Sequence, residues 1–236
     1  SFALTASNLM HNGYVENASY TKNNIGLGGQ TRYKALTIGG NFSYAKSKQI
    51  GGFFGENQVG GATSQFARSL FLGRNWDLSL PYQDLLGRPL IPNGGAQFDN
   101  PHWAAVNNVA TTNEERIIAG VRLGYKVNNW INVLYNFGVN SYALDRDERI
   151  QRFSRAADGI GRIVVDNYKG QELQSTLIVA LNPKIGGDFT LETKVGSDIN
   201  QRTSTRQTNT GKGFIVPGIY NLKNTTTQSF DADSRS

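Results

Sequence analysis

The sequence predicts an all-β fold: an antiparallel up-and-down meander forming a segment of a transmembrane β-barrel, with short turns at one end and long connections at the other. Three observations predict it. Apolar and polar residues alternate with period two in at least seven segments of the 236 residues. The alternating segments run roughly 9–14 residues, longer than the usual ~5–6 of soluble strands and close to the ~9–11 that a tilted membrane strand needs. Short and long connections alternate strictly, which is the loop asymmetry of membrane barrels.

The elements follow in order. Segment 2–8 opens the pattern. In 25–31 the apolar-leaning set is Ile25, Leu27, Gly29 and Thr31, and in 36–44 it is Leu36, Ile38, Gly40, Phe42 and Tyr44. The set switches from odd to even, so an even loop is required, and Arg32 to Ala35 supplies it, pairing Thr31 with Leu36 and Ile25 with Phe42. Segments 117–127 and 131–143 both place apolar residues at odd positions. Their loop must be odd, and Asn128-Asn129-Trp130 pairs Val127 with Ile131 and Leu123 with Tyr135. Segments 173–181 and 189–199 form a third pair around Pro183–Asp188, and 219–227 is a weak eighth strand. The longer connections are 10–19, 47–115, 146–170 and 200–218.

Composition bounds the function. Hydrophobic content of 38% suits strands with a single apolar face, and 11% aromatics with regular alternation argue against disorder. The net charge of +6 is scattered, with no basic run of five residues, so no nucleic-acid partner is expected. There is no cysteine, hence no disulfide framework and no cysteine zinc site. The longest apolar run, Leu177-Ile178-Val179-Ala180-Leu181, is far short of a membrane-spanning helix. His11 and His102 lack metal-ligand spacing, and GLGG at 26–29 lacks the ending and the following helix of a phosphate loop. The alternating charges of LDRDER read as a salt-bridged strand end rather than a calcium site. No catalytic residue, metal or cofactor is expected, and the chain does not read as an enzyme.

The two faces then receive roles. Val121, Leu123, Val133, Tyr135, Phe137 and Val139 are expected to face lipid. The opposite face carries Arg122, Lys126, Glu192, Lys194, Asp198 and several Asn, and is expected to line a wet lumen. Tyr33, Trp130 and Phe189 sit near the tight turns, where amphipathic rings favour the headgroup level. The connection 47–115 is aromatic, with Phe53, Phe54, Trp76, Tyr82 and Trp103. Rings beside Asn, Asp and Arg suit sugars or peptides, although such rings also pack a loop on itself. Candidate substrate-binding residues are Arg122, Asn136 and Lys194 in the lumen and Trp76, His102 and Trp103 in the loop.

The ordered set KALTIGGNFSYAKSK, LPYQDLLGRPL, NPHW, ERIIAGVRLGYKVNNWINVLYNFGVNSYALDR and GGDFTLETKVGSDIN resembles the SusC/RagA family of TonB-dependent outer-membrane transporters of Bacteroidetes, over roughly 1–227. The resemblance implies a 22-stranded barrel in the outer membrane with an N-terminal plug, energised by the TonB complex. It also implies a SusD-like surface lipoprotein as lid, and oligosaccharide or peptide substrates. On this reading 1–236 is a middle portion of the barrel, of seven or eight strands, with signal peptide, TonB box, plug and remaining strands outside the given sequence. Two other readings stand beside it: an outer-membrane barrel with a structural or adhesive role, and a soluble secreted carbohydrate-binding β-sandwich. The consistently polar side opposite each apolar face counts against the sandwich.

Overall fold

The computed structural model describes all residues except 52–63, 74, 75, 78, 91–97, 188 and 236, and only the backbone of residue 190. The strands are β1 (Phe2–Asn12), β2 (Ser19–Tyr33), β3 (Leu36–Gly51), β4 (Val109–Lys126), β5 (Ile131–Ile150), β6 (Arg162–Leu181), β7 (Lys184–Ile185), β8 (Phe189–Thr190), β9 (Thr193–Phe214) and β10 (Thr225–Arg235). Eight of them form one antiparallel sheet in the order β1-β2-β3-β4-β5-β6-β9-β10, while β7 and β8 pair as a small separate ribbon. Every strand of the large sheet pairs with its chain neighbour, as an up-and-down meander requires. Among the described residues no helix is long and apolar enough to cross a membrane.

Register bears out the central hairpin. Leu123 pairs with Tyr135 and Val121 with Phe137, and the Val127 N–H donates to the Ile131 carbonyl at 3.0 Å. The first hairpin differs from expectation. Tyr33 pairs with Leu36, Thr31 with Ile38 and Ile25 with Tyr44, so only Lys34 and Ala35 form the turn. Lys34 takes a left-handed conformation (φ 53°), which permits the tight two-residue connection. The slip is by two residues, so each side chain keeps its face. In the third pair Leu181 meets Thr193 and Val179 meets Val195. Phe189 therefore leaves the long strand and lies in the ribbon, where it is exposed.

The strands are longer than the alternation suggested, and the long connections shrink to 13–18, 52–108, 151–161 and 215–224. The extensions carry polar residues on both faces and no regular apolar alternation, so hydropathy does not reveal them. They are held by the backbone ladder and by charged pairs: Lys46–Glu115 (2.6 Å), Glu172–Arg202 (3.0 Å) and Asp166–Arg206 (2.7 Å). The weak strand expected over 219–227 is corrected as well. Residues 219–224 belong to a loop pinned by Asn224, and β10 starts at Thr225.

The large sheet is a single layer, and among the described residues no second sheet or helix layer covers either of its faces. Buried side chains gather instead where the long connections meet the strands, at Trp103, Ala104, Ala105, Ile150, Ile163 and Phe214. The NPHW stretch, read from sequence as loop, is a helix start. Asn100 accepts from the His102 and Trp103 N–H groups, and Pro101 opens α2 (Pro101–Asn107) with its preset φ. A second short helix, α1 (Gln65–Ser69), is capped by Ser64. The buried Asp99 carboxylate accepts from Ser154 Oγ (2.6 Å), Asn108 Nδ2 (3.3 Å) and the Arg155 N–H (2.8 Å). It fastens the connection carrying α2 to the one between β5 and β6.

Candidate functional site

Period two sorts the sheet into a polar and an apolar face. On the polar face Arg122 pairs across strands with Asn136, and the next residues along that ladder are Thr176 and Asp198. Arg122, Asn136 and Thr176, together with Gln30, Asn41 and Gln174, line an open trough of about 470 Å³. Its floor is low because Gly39, Gly120 and Gly138 lack side chains. At Gly120 a Cβ would stand 2.8 Å from Asn41 Oδ1, so the Asn41 amide lies across a position that only glycine leaves open. Thr176 Oγ donates to Asp198 at 2.6 Å, whereas Arg122 is exposed and has no acidic partner among the described residues. The trough can therefore offer an unpaired guanidinium and several amides to a polar solute.

The structure brings Arg122 and Asn136 together but not Lys194. Lys194 faces the same side two ladder steps nearer the short turns, opposite Ala180, with its ammonium 3.1 Å from Glu192. The loop candidates divide. Trp76 is half-buried, its N–H bonded to the Gly73 carbonyl. His102 is partly exposed, with Nδ1 3.3 Å from Glu16 and its ring stacked near Tyr82. Trp103 corrects the expectation for it: its side chain is fully buried and its indole N–H donates to the Gly87 carbonyl at 2.9 Å. It packs the connection on itself and is closed to a solute. Phe53 and Phe54 lie outside the described residues.

Sequence reading missed a second polar cluster. Tyr142 and Tyr168 meet edge to face with centroids 5.9 Å apart. Beside them Glu172 accepts from Asn200 (2.9 Å) and Arg202 (3.0 Å). Farther from the short turns, Asp166 accepts from Arg206 through two bonds (2.9 and 2.7 Å) and from Thr208. The Arg206 guanidinium holds the Asp166 carboxyl below the usual carboxylate range. Six of these residues, Asp166, Tyr168, Asn200, Arg202, Arg206 and Thr208, fall in segments that read as connections. Charge alternation at 166–172 was the available signal.

The apolar face runs on β4 from Tyr125 through Leu123, Val121 and Ala119 to Ile117, beside Val133, Tyr135, Phe137 and Val139 of β5. These side chains stay in part uncovered: Val121 is 46% exposed, and on β9 Val195 and Ile199 are 62% and 64% exposed. Beyond Ile117 the same face turns charged at the Lys46–Glu115 pair. The edge of the apolar zone steps down across the sheet, from Ile117 on β4 to Ile199 on β9, whose ladder leads to Val121. A drop of four residues over three strand spacings corresponds to strands tilted roughly 40° to the band, given ~3.4 Å per residue and ~4.8 Å per strand. Barrel strands tilt by that amount.

Solved structures show the same fold. Three chains from structures of the RagAB peptide transporter, two of them of the importer in its "closed-closed" and "open-open" states, superpose on 99% of this chain with TM-scores of 0.69–0.71. Sequence identity is only 12–13%. The chain spans about a quarter of the length of those solved chains, 26–27%. No protein-family model matches the sequence, and no curated protein matches it.

Proposed function

We propose that this chain is part of a SusC-type, TonB-dependent outer-membrane importer. The observation that carries the reading is the single-layer sheet: its apolar face is continuous, tilted and uncovered, and its other face is polar. An apolar surface of that extent in water is unstable; lipid covers it without a second protein layer, while the polar face lines the lumen. Val121, Leu123, Val133, Tyr135, Phe137 and Val139 then contact lipid, and the trough at Arg122 and Asn136 lies on the transport path. The likeness in fold to chains of a peptide importer supports the same reading.

Transport on this reading is binding and movement, without covalent chemistry. An oligosaccharide or peptide is captured at the mouth, a SusD-like lipoprotein closes over it, and TonB acting through a plug opens the path. The exposed apolar side chains of Phe66, Leu70, Phe71, Leu85 and Leu86 on the long connection are available to a protein lid. The test is fractionation of the native source with sizing of the band that carries this sequence. Retention in the outer membrane through a urea wash, at a mass several times 25.9 kDa, is expected. A soluble band at that mass refutes the proposal.

A further inference from the structure

We propose that the cluster at Tyr142, Tyr168 and Glu172 is a second binding site on the polar face, built for an uncharged sugar ring. The inference deepens the importer reading, which places the site on a transport path, but its binding chemistry is tested separately.

Tyr142 stands directly opposite Gly170 across the β5–β6 ladder, and Tyr168 is the next residue on that face. A Cβ at Gly170 would lie 3.1 Å from the Tyr168 hydroxyl, so the Tyr168 ring is laid down over the glycine. The Tyr142 ring meets it at 60°. One step nearer the short turns, Glu172 is held by Asn200 and Arg202, and its ladder partner Asn140 receives Arg116 Nε at 3.0 Å. Asn140, Tyr142, Tyr168, Glu172 and Arg202 border a small open cavity of about 120 Å³. It lies at the edge where the apolar zone of β6 ends at Leu173, on the side of the long connections.

Two features select the ligand. Two phenol rings beside a carboxylate, a guanidinium and an amide combine apolar contact with oriented donors and acceptors. That arrangement matches a pyranose, which has an apolar C–H face and a rim of hydroxyls. The charges around the rings are matched in number: Glu172 pairs with Arg202 and Asp166 with Arg206, and Glu114 and Arg116 on β4 add one of each sign opposite Leu144 and Tyr142. A charged ligand that engaged Glu172 or Arg202 would have to displace the other from its ion pair. An uncharged polyol adds hydrogen bonds without breaking an ion pair. The trough, with its unpaired Arg122, lacks this balance.

The experiment is calorimetric titration of the full-length protein in detergent. The probes are neutral hexasaccharides of glucose, mannose, galactose and xylose in α and β linkages, and a tryptic casein digest. At least one hexasaccharide is expected to bind. Tyr168→Ala and Glu172→Gln should each weaken it tenfold or more, while Lys169→Gln, on the opposite face of the same strand, leaves it unchanged. Gly170→Val should weaken it too, because the ring must lift. Each variant is first shown to be folded by its heat-dependent gel migration, and Tyr168→Phe keeps the platform if Tyr168→Ala fails to fold. Binding of the digest alone, binding of no hexasaccharide, or hexasaccharide binding that ignores Tyr168 and Glu172 overturns the site. A soluble native protein would sink the importer reading and leave this test intact.

Discussion

Substituting Val121 by Arg tests the assignment of faces most directly. Val121 is the middle of five successive apolar-face positions on β4, from Tyr125 to Ile117, and its ladder neighbours Phe137 and Gly40 bear no charge. It lies four residues from either end, about 14 Å along the strand, or about 10 Å in depth at a 40° tilt. A guanidinium at the midplane costs ~2–4 kcal/mol, falling to ~0–1 near the interface. At ~1.4 kcal/mol per decade, the midplane cost lowers the folding equilibrium constant by roughly 30- to 700-fold. Asn113→Arg, on the same face beyond the Lys46–Glu115 pair, should cost almost nothing, and Ile117→Arg an intermediate amount. Asn136→Arg, on the polar face one ladder step away, should also be mild. The assay is guanidinium unfolding of the full-length protein in phosphatidylcholine vesicles, read by tryptophan fluorescence and gel migration. Equal costs at Val121 and Asn136, or no fall from Val121 to Asn113, would refute the depth argument.

Other outcomes follow from the same geometry. Trp103→Ala removes a fully buried ring and should cost ~3–5 kcal/mol locally, read as rapid proteolysis around 100–108 with the strands still protected. Asn100→Ala removes the cap of α2 and its bond to the Leu90 carbonyl, and should cost about 1 kcal/mol in the same assay. Arg206→Gln should destabilise the β6–β9 extension in a pH-dependent way. The Asp166 carboxyl is lowered on folding, so its contribution is complete above the unfolded value near ~3.9 and vanishes as pH falls through the lower folded value. Denaturant midpoints of the two proteins should differ at pH 6 and converge toward pH 2; an unchanged gap shows that Asp166 is not the partner that matters. Gly120→Val should disturb the trough by displacing the Asn41 amide, seen as altered amide resonances or exchange confined to β3 and β4.

The sequence by itself determined which side chains share a face. Cβ atoms alternate along a strand, so Val121 and Phe137 had to part from Arg122 and Asn136 whatever the ladder details. Even the two-residue slip at Lys34 left every face intact, because the period is two. Strand order was legible too, since tight turns leave antiparallel neighbours no other place. Tertiary structure decided the rest. The polar extensions of β4, β5, β6 and β9 show no apolar alternation, and only pairing across strands, as in Asp166–Arg206, reveals them as sheet. Trp103 looked available because its burial depends on partners outside its own segment, such as the Gly87 carbonyl that takes its indole N–H. Tyr142, Gly170 and Glu172 become one site only when the register sets two strands side by side: local pattern specifies the direction a side chain takes from the backbone, and long-range pairing specifies what it meets there.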